Sequence, residues 1–165
     1  MSASHTINLA DAGATAALGA RIAPLLQPGD AVLLYGPLGM GKSTLARGLI
    51  RALTGPHEDV PSPTFTLVQF YETTPPVAHF DLYRLTRADE AFEIGLDEAL
   101  DDGVAVIEWP ERLGEDVSWL IGENRLCITL SEVGAEEGDD PETAGRLATV
   151  LAAGSWETRI DHVFA

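Results

Sequence analysis

An apolar run, Ala31-Val32-Leu33-Leu34-Tyr35, opens directly into Gly36-Pro37-Leu38-Gly39-Met40-Gly41-Lys42-Ser43-Thr44, and a helical pattern follows from Ser43 to Leu53. The turn signal Pro28-Gly29-Asp30 precedes the run, which reads as a buried strand. Leu45, Leu49 and Leu53 recur at spacing four with Ala46 beside them, and Gly55-Pro56 stops the helix. The loop between strand and helix fits G-x-x-x-x-G-K-[ST]. In such a loop the backbone N–H groups point inward, and the N-terminus of the following helix adds partial positive charge. The arrangement suits phosphate oxygens. Lys42 is placed to reach between the β- and γ-phosphates, and the Ser43 hydroxyl to serve Mg²⁺. Gly36, Leu38, Gly39, Met40, Gly41, Lys42, Ser43 and Thr44 are therefore the candidate nucleotide-binding residues. Lys42 is the single lysine of the chain, and nine arginines carry the other fixed positive charge. General arginine usage accounts for the scarcity elsewhere, but a guanidinium fork does not fit easily where a slim ammonium must reach.

Around this centre the chain predicts an α/β phosphate-loop fold, parallel at its centre, with antiparallel additions near the C-terminus. Thr6–Leu9 reads as a short strand. Asp11 caps a helix running towards Leu26, with Leu18, Ile22 and Leu25 on one face, and Pro24 kinks or ends it. Val60-Pro61-Ser62-Pro63-Thr64 is a proline-stiffened loop. Phe65–Tyr71 and Val77–Leu82 read as strands. Thr86-x-x-Asp89 opens an acidic helix broken at Gly95, and Leu96–Leu100 continues as a short helical segment. Val104–Trp109 is a strand ended by Pro110, and Arg125–Ser131 and Arg146–Ala152 form a hairpin across the acidic loop 136–142. At 165 residues, without an internal repeat or long linker, one domain over 1–165 is expected.

Composition limits the partners. Residues 1–57 carry two acids and four bases, whereas residues 58–165 carry twenty-four acids and six bases, leaving the chain at −16. Such a chain is a poor lone binder of tRNA or other nucleic acid. Its acidic part is either a solvated surface or one that faces a basic partner. No run of eighteen apolar residues predicts a membrane span, and Met1–His5 lacks the opening of a secretion signal, so the cytoplasm is the expected compartment. Cys127 lies in an apolar strand and reads as a core residue.

Two further strands end in carboxylates. Val104-Ala105-Val106-Ile107 leads into Glu108, at the strand end where ligands of open α/β sheets collect. Beside the glycine loop, Glu108 is a candidate metal ligand with Ser43; otherwise it is a surface acid. In His79-Phe80-Asp81-Leu82-Tyr83-Arg84, alternation puts His79, Asp81 and Tyr83 on one side. Asp81 either orients the attacking water or holds the metal shell, or else is a surface acid paired with Arg84. His79 reads as structural, and Tyr83 and Arg84 are open. Zinc at His79 and Asp81 lacks further ligands at a suitable spacing. Ser62-Pro63-Thr64-Phe65 is either a switch-like loop offering a hydroxyl to the γ-phosphate or a rigid turn. A guanine reader of the form Asn-Lys-x-Asp needs a second lysine, so a modest preference for ATP is expected.

Gly36–Thr44, Ser62–Phe65, His79–Arg84, Glu93-Ile94-Gly95-Leu96 and Val106-Ile107-Glu108-Trp109-Pro110, in this order, resemble the TsaE (older name YjeE) family over roughly residues 7–130. That family is a group of small bacterial ATPases needed for threonylcarbamoyladenosine in tRNA. The resemblance implies ATP and Mg²⁺ at the glycine loop, with Lys42 on phosphates and Ser43 and Glu108 serving the metal. It raises Thr64, Asp81, Glu108 and Trp109 as functional residues, with Lys42, Glu108, Asp81 and Thr64 carrying the catalysis. It brings the backbone near Ala12 and the return near Gly145-Arg146 towards the base. It also implies a TsaB–TsaD pair as partner, reset by ATP turnover. Ser43 stands where the family often has threonine, and Phe65 where it often has tyrosine. Two other readings remain: a small-molecule phosphate-loop kinase, and a nucleotide-dependent binding module.

Overall fold

The structure, a computed structural model, describes residues 3–115, 120–133 and 145–164. The expected acidic loop 136–142 lies outside the described residues. One seven-stranded sheet organises the chain: β1 (Ala3–Leu9), β2 (Ala31–Tyr35), β3 (Val68–Tyr71), β4 (Val77–Asp81), β5 (Val104–Glu108), β6 (Arg125–Glu132) and β7 (Arg146–Ala153), in the spatial order β1-β7-β6-β2-β5-β4-β3. The four central strands, β6, β2, β5 and β4, run parallel. β3, β7 and β1 join antiparallel at the two flanks, as the expected hairpin requires for β6 and β7. β2 and β5 are apolar throughout except at their last residue because both faces are covered.

On one face lie α1 (Ala12–Ile22), α2 (Lys42–Thr54) and α5 (Trp156–Val163), packed over Val32, Leu34, Val106, Ile128 and Val150. On the other, α3 (Glu90–Glu93) and α4 (Leu96–Asp102) cover Leu33, Phe80 and Ile107. α1 and α2 approach closely through two glycines. A Cβ on Gly48 would stand 2.1 Å from the Ala16 carbonyl oxygen, and one on Gly19 would stand 2.2 Å from that of Leu45. This contact seats α2, and hence the glycine loop, against the strand ends. Asp11 caps α1 as expected, accepting from the Ala14 N–H at 2.8 Å. α1 ends at Ile22, before a 3₁₀ turn that carries Pro24.

Three elements differ from the sequence reading. Phe65, Thr66 and Leu67 do not join β3: they form a turn, closed by Leu67 N–H to the Pro63 carbonyl at 2.8 Å, with Leu67 at φ +69°. The helix expected from Thr86 starts only at Glu90. The Glu90 carboxylate closes back on the Thr86 hydroxyl and the Arg87 N–H, so residue 90 rather than Asp89 completes the cap. α5 was not anticipated, although Trp156, Ile160 and Val163 sit at helical spacing and all three are buried. Arg159 on α5 makes a bidentate pair with the buried Asp30, both contacts at 2.8 Å, which ties the C-terminus to the turn before β2. No helix among the described residues is long and apolar enough to cross a membrane.

Candidate functional site

Because β2, β4 and β5 are parallel, their C-terminal ends lie together, and a cavity of about 430 Å³ opens there. One wall is the glycine loop. Gly36, Gly39 and Gly41 take φ values of +137°, +82° and +100°, in the left-handed region that favours glycine. At Gly36 a Cβ would stand 2.6 Å from the Leu130 carbonyl oxygen, so that position also requires the missing side chain. Leu38, Gly39, Met40, Gly41, Lys42, Ser43 and Thr44 line the cavity, and Ala12 at the start of α1 closes one side. Gly36 does not line it, but its carbonyl accepts from Lys42 Nζ at 2.6 Å.

The facing wall is made of side chains. Register pairs Asp81 with Glu108 at adjacent strand ends. Both are buried, as is Lys42. The Ser43 hydroxyl donates to Glu108 Oε1 at 2.9 Å. His79 Nε2 meets Glu108 Oε2 at 2.7 Å. Asp81 Oδ1 accepts the Tyr83 N–H at 3.1 Å, and its Oδ2 accepts from Thr64 Oγ1 at 3.4 Å. Thr64 is within 3.2 Å of Ser62 Oγ. The Lys42 ammonium sits 3.3 Å from the centroid of the Trp109 ring, with Trp109 held at φ +59°. Burial pushes the Lys42 pKa below its ordinary value, against the opposing pull of Glu111, Glu108 and Asp81.

Lys42, Ser43, Thr64, Asp81 and Glu108, distant in sequence, are thus brought to one cavity. Gly145 is not among its lining residues; Arg146 takes that side and reaches the Gly39 carbonyl at 3.4 Å. Arg84 does not pair with Asp81. Its guanidinium stacks 4.4 Å from the centroid of Phe65. Tyr83 and Arg84, left open by the sequence, both line the cavity. Two participants were missed. Thr15 lines the cavity beside Ala12, one turn into α1, and nothing in the loop motif points to it. The His79–Glu108 contact was missed because only the β4–β5 register brings those residues together; period-2 alternation had placed His79 on the Asp81 side without naming what lay opposite.

The donor set can be tested against a metal. No group of three or more His, Cys, Asp or Glu residues able to hold a metal ion occurs among the described residues. A hydroxyl and a carboxylate side by side beside a glycine loop would suit Mg²⁺, which takes one or two protein oxygens and completes its shell with phosphate and water. A serine hydroxyl can offer a lone pair to a metal while it donates its proton in a hydrogen bond to a carboxylate, so the Ser43–Glu108 bond fits such an ion.

Comparison with known proteins identifies the family. Residues 9–138 match the family model "Threonylcarbamoyl adenosine biosynthesis protein TsaE". A curated relative from Rickettsia felis, "tRNA threonylcarbamoyladenosine biosynthesis protein TsaE", is 36% identical over 145 residues, which is 87% of this chain and 78% of the relative. A relative of the same description from Streptomyces coelicolor is 38% identical over 146 residues, covering 86% and 93%. Among solved structures, "Crystal structure of Bacillus subtilus YdiB" superposes with a TM-score of 0.75 at 26% identity, covering 99% of this chain and 96% of that one. The matched span contains the glycine loop, Thr64, Asp81 and Glu108, and the chain belongs to the TsaE family.

Proposed function

We propose that this chain is a phosphate-loop ATPase that binds Mg-ATP in the cavity between the glycine loop and the ends of β4 and β5. It would serve the family's role in tRNA threonylcarbamoyladenosine biosynthesis by acting on a TsaB–TsaD-like pair. The observation that carries the reading is the Ser43–Glu108 hydrogen bond, next to a lone lysine at the mouth of a left-handed glycine loop. Loop amides and Lys42 hold the phosphates, and Lys42 must exchange its bond to Gly36 and its seat over Trp109 for phosphate oxygens. Ser43 and Glu108 would hold the metal, which supplies neutralisation of charge on the β- and γ-oxygens. Asp81, fixed by the Tyr83 N–H and the Thr64 hydroxyl, has a carboxylate at the cavity to orient the attacking water, or Glu108 performs that task. Thr15, Ala12 and Arg146 also line the cavity, and the base would lie against them.

Phosphoryl-transfer sites that lack a transition-state arginine gain about 10³–10⁵ in rate when a partner supplies one or orders the loops. The guanidinium of Arg84 is stacked on Phe65, which is 81% exposed on the loop that carries Thr64, so this corner of the site faces outward. The isolated chain is therefore slow, and its acidic surface keeps it from tRNA. The test is ATP turnover with product analysis, with and without a TsaB–TsaD pair from the same cell. Release of free phosphate, raised by the pair, is the expected result. A phosphorylated small-molecule acceptor would make the chain a kinase, and retained ADP without turnover would make it a binding module. Tight tRNA binding by the chain alone, with no response to the pair, contradicts the proposed role.

A further inference from the structure

His79 is 1% exposed, in the middle of β4, and its strand partners are Val106 and Gln69. Its Nε2 spends its one hydrogen bond on Glu108 Oε2 at 2.7 Å. Its Nδ1 is buried with no hydrogen-bond partner. A core position that leaves a ring nitrogen unpaired costs stability relative to an aliphatic side chain of similar size. The imidazole is thus not placed there for its own satisfaction. Against a carboxylate oxygen, Nε2 is the donor of this bond.

The consequence falls on Glu108. One carboxylate oxygen accepts from Ser43 and the other faces His79, so the carboxylate plane is pinned from two sides and cannot turn about its last torsion. Asp81 is its register neighbour, so two carboxylates stand side by side at the strand ends. Like charges so placed repel, and an N–H on the far oxygen of Glu108 holds it against that push.

We infer that His79 is a positioning residue: it clamps Glu108 Oε2 so that Oε1 stays aligned with Ser43 for a divalent cation. This rests on the reading of Ser43 and Glu108 as the metal-serving pair. Groups that orient a metal's ligands from behind are worth about 10–100-fold in metal affinity.

The experiment measures ADP binding by calorimetry across a Mg²⁺ titration, and again in excess EDTA, for wild type, His79→Leu and His79→Gln. In folded His79→Leu the Mg²⁺ concentration at half-effect is expected to rise about tenfold or more, with metal-free ADP affinity within about twofold of wild type. His79→Gln, whose amide N–H can reach Glu108, is expected to restore most of the loss. Thermal stability of His79→Leu checks the fold only, because loss of the imidazole also leaves the buried Glu108 Oε2 without its partner. A folded His79→Leu with wild-type Mg²⁺ dependence overturns the inference and leaves the nucleotide site standing. Wild type that binds no ADP, or binds it without regard to Mg²⁺, overturns the underlying reading and the inference with it. Should His79→Leu not fold, the ¹⁵N signals of the wild-type imidazole decide. A proton on Nε2 and a shift on adding Mg²⁺ with ADP support the clamp, and an Nε2 without a proton overturns it.

Discussion

The two walls of the cavity are built in different ways. The glycine-loop wall is nine consecutive residues whose working groups are backbone amides together with the Lys42 ammonium and the Ser43 hydroxyl, seated by α2 and by the close α1–α2 contact at Gly19 and Gly48. The facing wall is built of side chains, among them Thr64, Asp81, Glu108 and Trp109 with His79 behind Glu108, delivered by three segments; hydrogen bonds between 2.7 and 3.4 Å hold Thr64, Asp81, Glu108 and His79. Apart from Lys42 and Ser43, such a wall is indifferent to most side-chain changes and fails when its dihedrals are refused. A side-chain wall fails one function at a time. Binding should therefore depend on the first wall and chemistry on the second.

The largest break in this comparison is Gly36→Ala. The new Cβ meets the Leu130 carbonyl at 2.6 Å and the backbone must hold φ +137°, so the cost is on the order of 3 kcal/mol and the loop loses its shape. Chemical denaturation should show the destabilisation, and nucleotide binding should fall roughly 100-fold or more. Wild-type affinity in this variant would show that the loop tolerates a side chain where the structure has no room for one.

Glu108→Gln sharpens the comparison from the other side. The amide keeps the shape but removes the charge between Ser43 and His79, so single-turnover hydrolysis should drop about 10²–10³-fold while ADP affinity changes only a few-fold. Equal losses in both would mean that the two walls are not separable. Thr64→Ala is the smallest. It removes the long hydrogen bond to Asp81 at 3.4 Å and the contact to Ser62 at 3.2 Å, each worth about 0.5–1.5 kcal/mol, and a severalfold loss in turnover with unchanged binding is expected. A loss as large as that of Glu108→Gln would instead put the Thr64 hydroxyl on the reacting phosphate.

The same difference decides what could be read from the chain. The loop wall was legible because strand, glycines and helix are contiguous, and each obeys a local rule at its own position. Asp81 and Glu108 were legible as acids ending apolar strands, but their registry was not, since it depends on which strands become neighbours. The His79–Glu108 clamp followed the registry out of sight. The return near Gly145-Arg146 is legible only as a pair, of which Arg146 lines the cavity, because the return strand β7 comes from beyond the acidic segment and its start cannot be fixed by local pattern. Phe65 to Leu67 carried strand-forming residues, yet the prolines at 61 and 63 and the left-handed Leu67 turn that segment towards Asp81 instead. α5 was passed over because eight residues at the end of a chain give a weak period. Its place is set by the Arg159–Asp30 pair, which no local rule reveals.

The central claim is that a single lysine and a metal-serving pair make this cavity a Mg-nucleotide site. Calorimetric titration of ATP and of ADP, with Mg²⁺ and with EDTA, into wild type and Lys42→Ala tests it directly, with circular dichroism to verify the fold. Wild type should bind one nucleotide per chain, more tightly with Mg²⁺, and the folded variant should lose about 1.5–3 kcal/mol of that affinity, roughly 10–100-fold. Equal affinity in the two proteins, or no binding by wild type, would contradict the account.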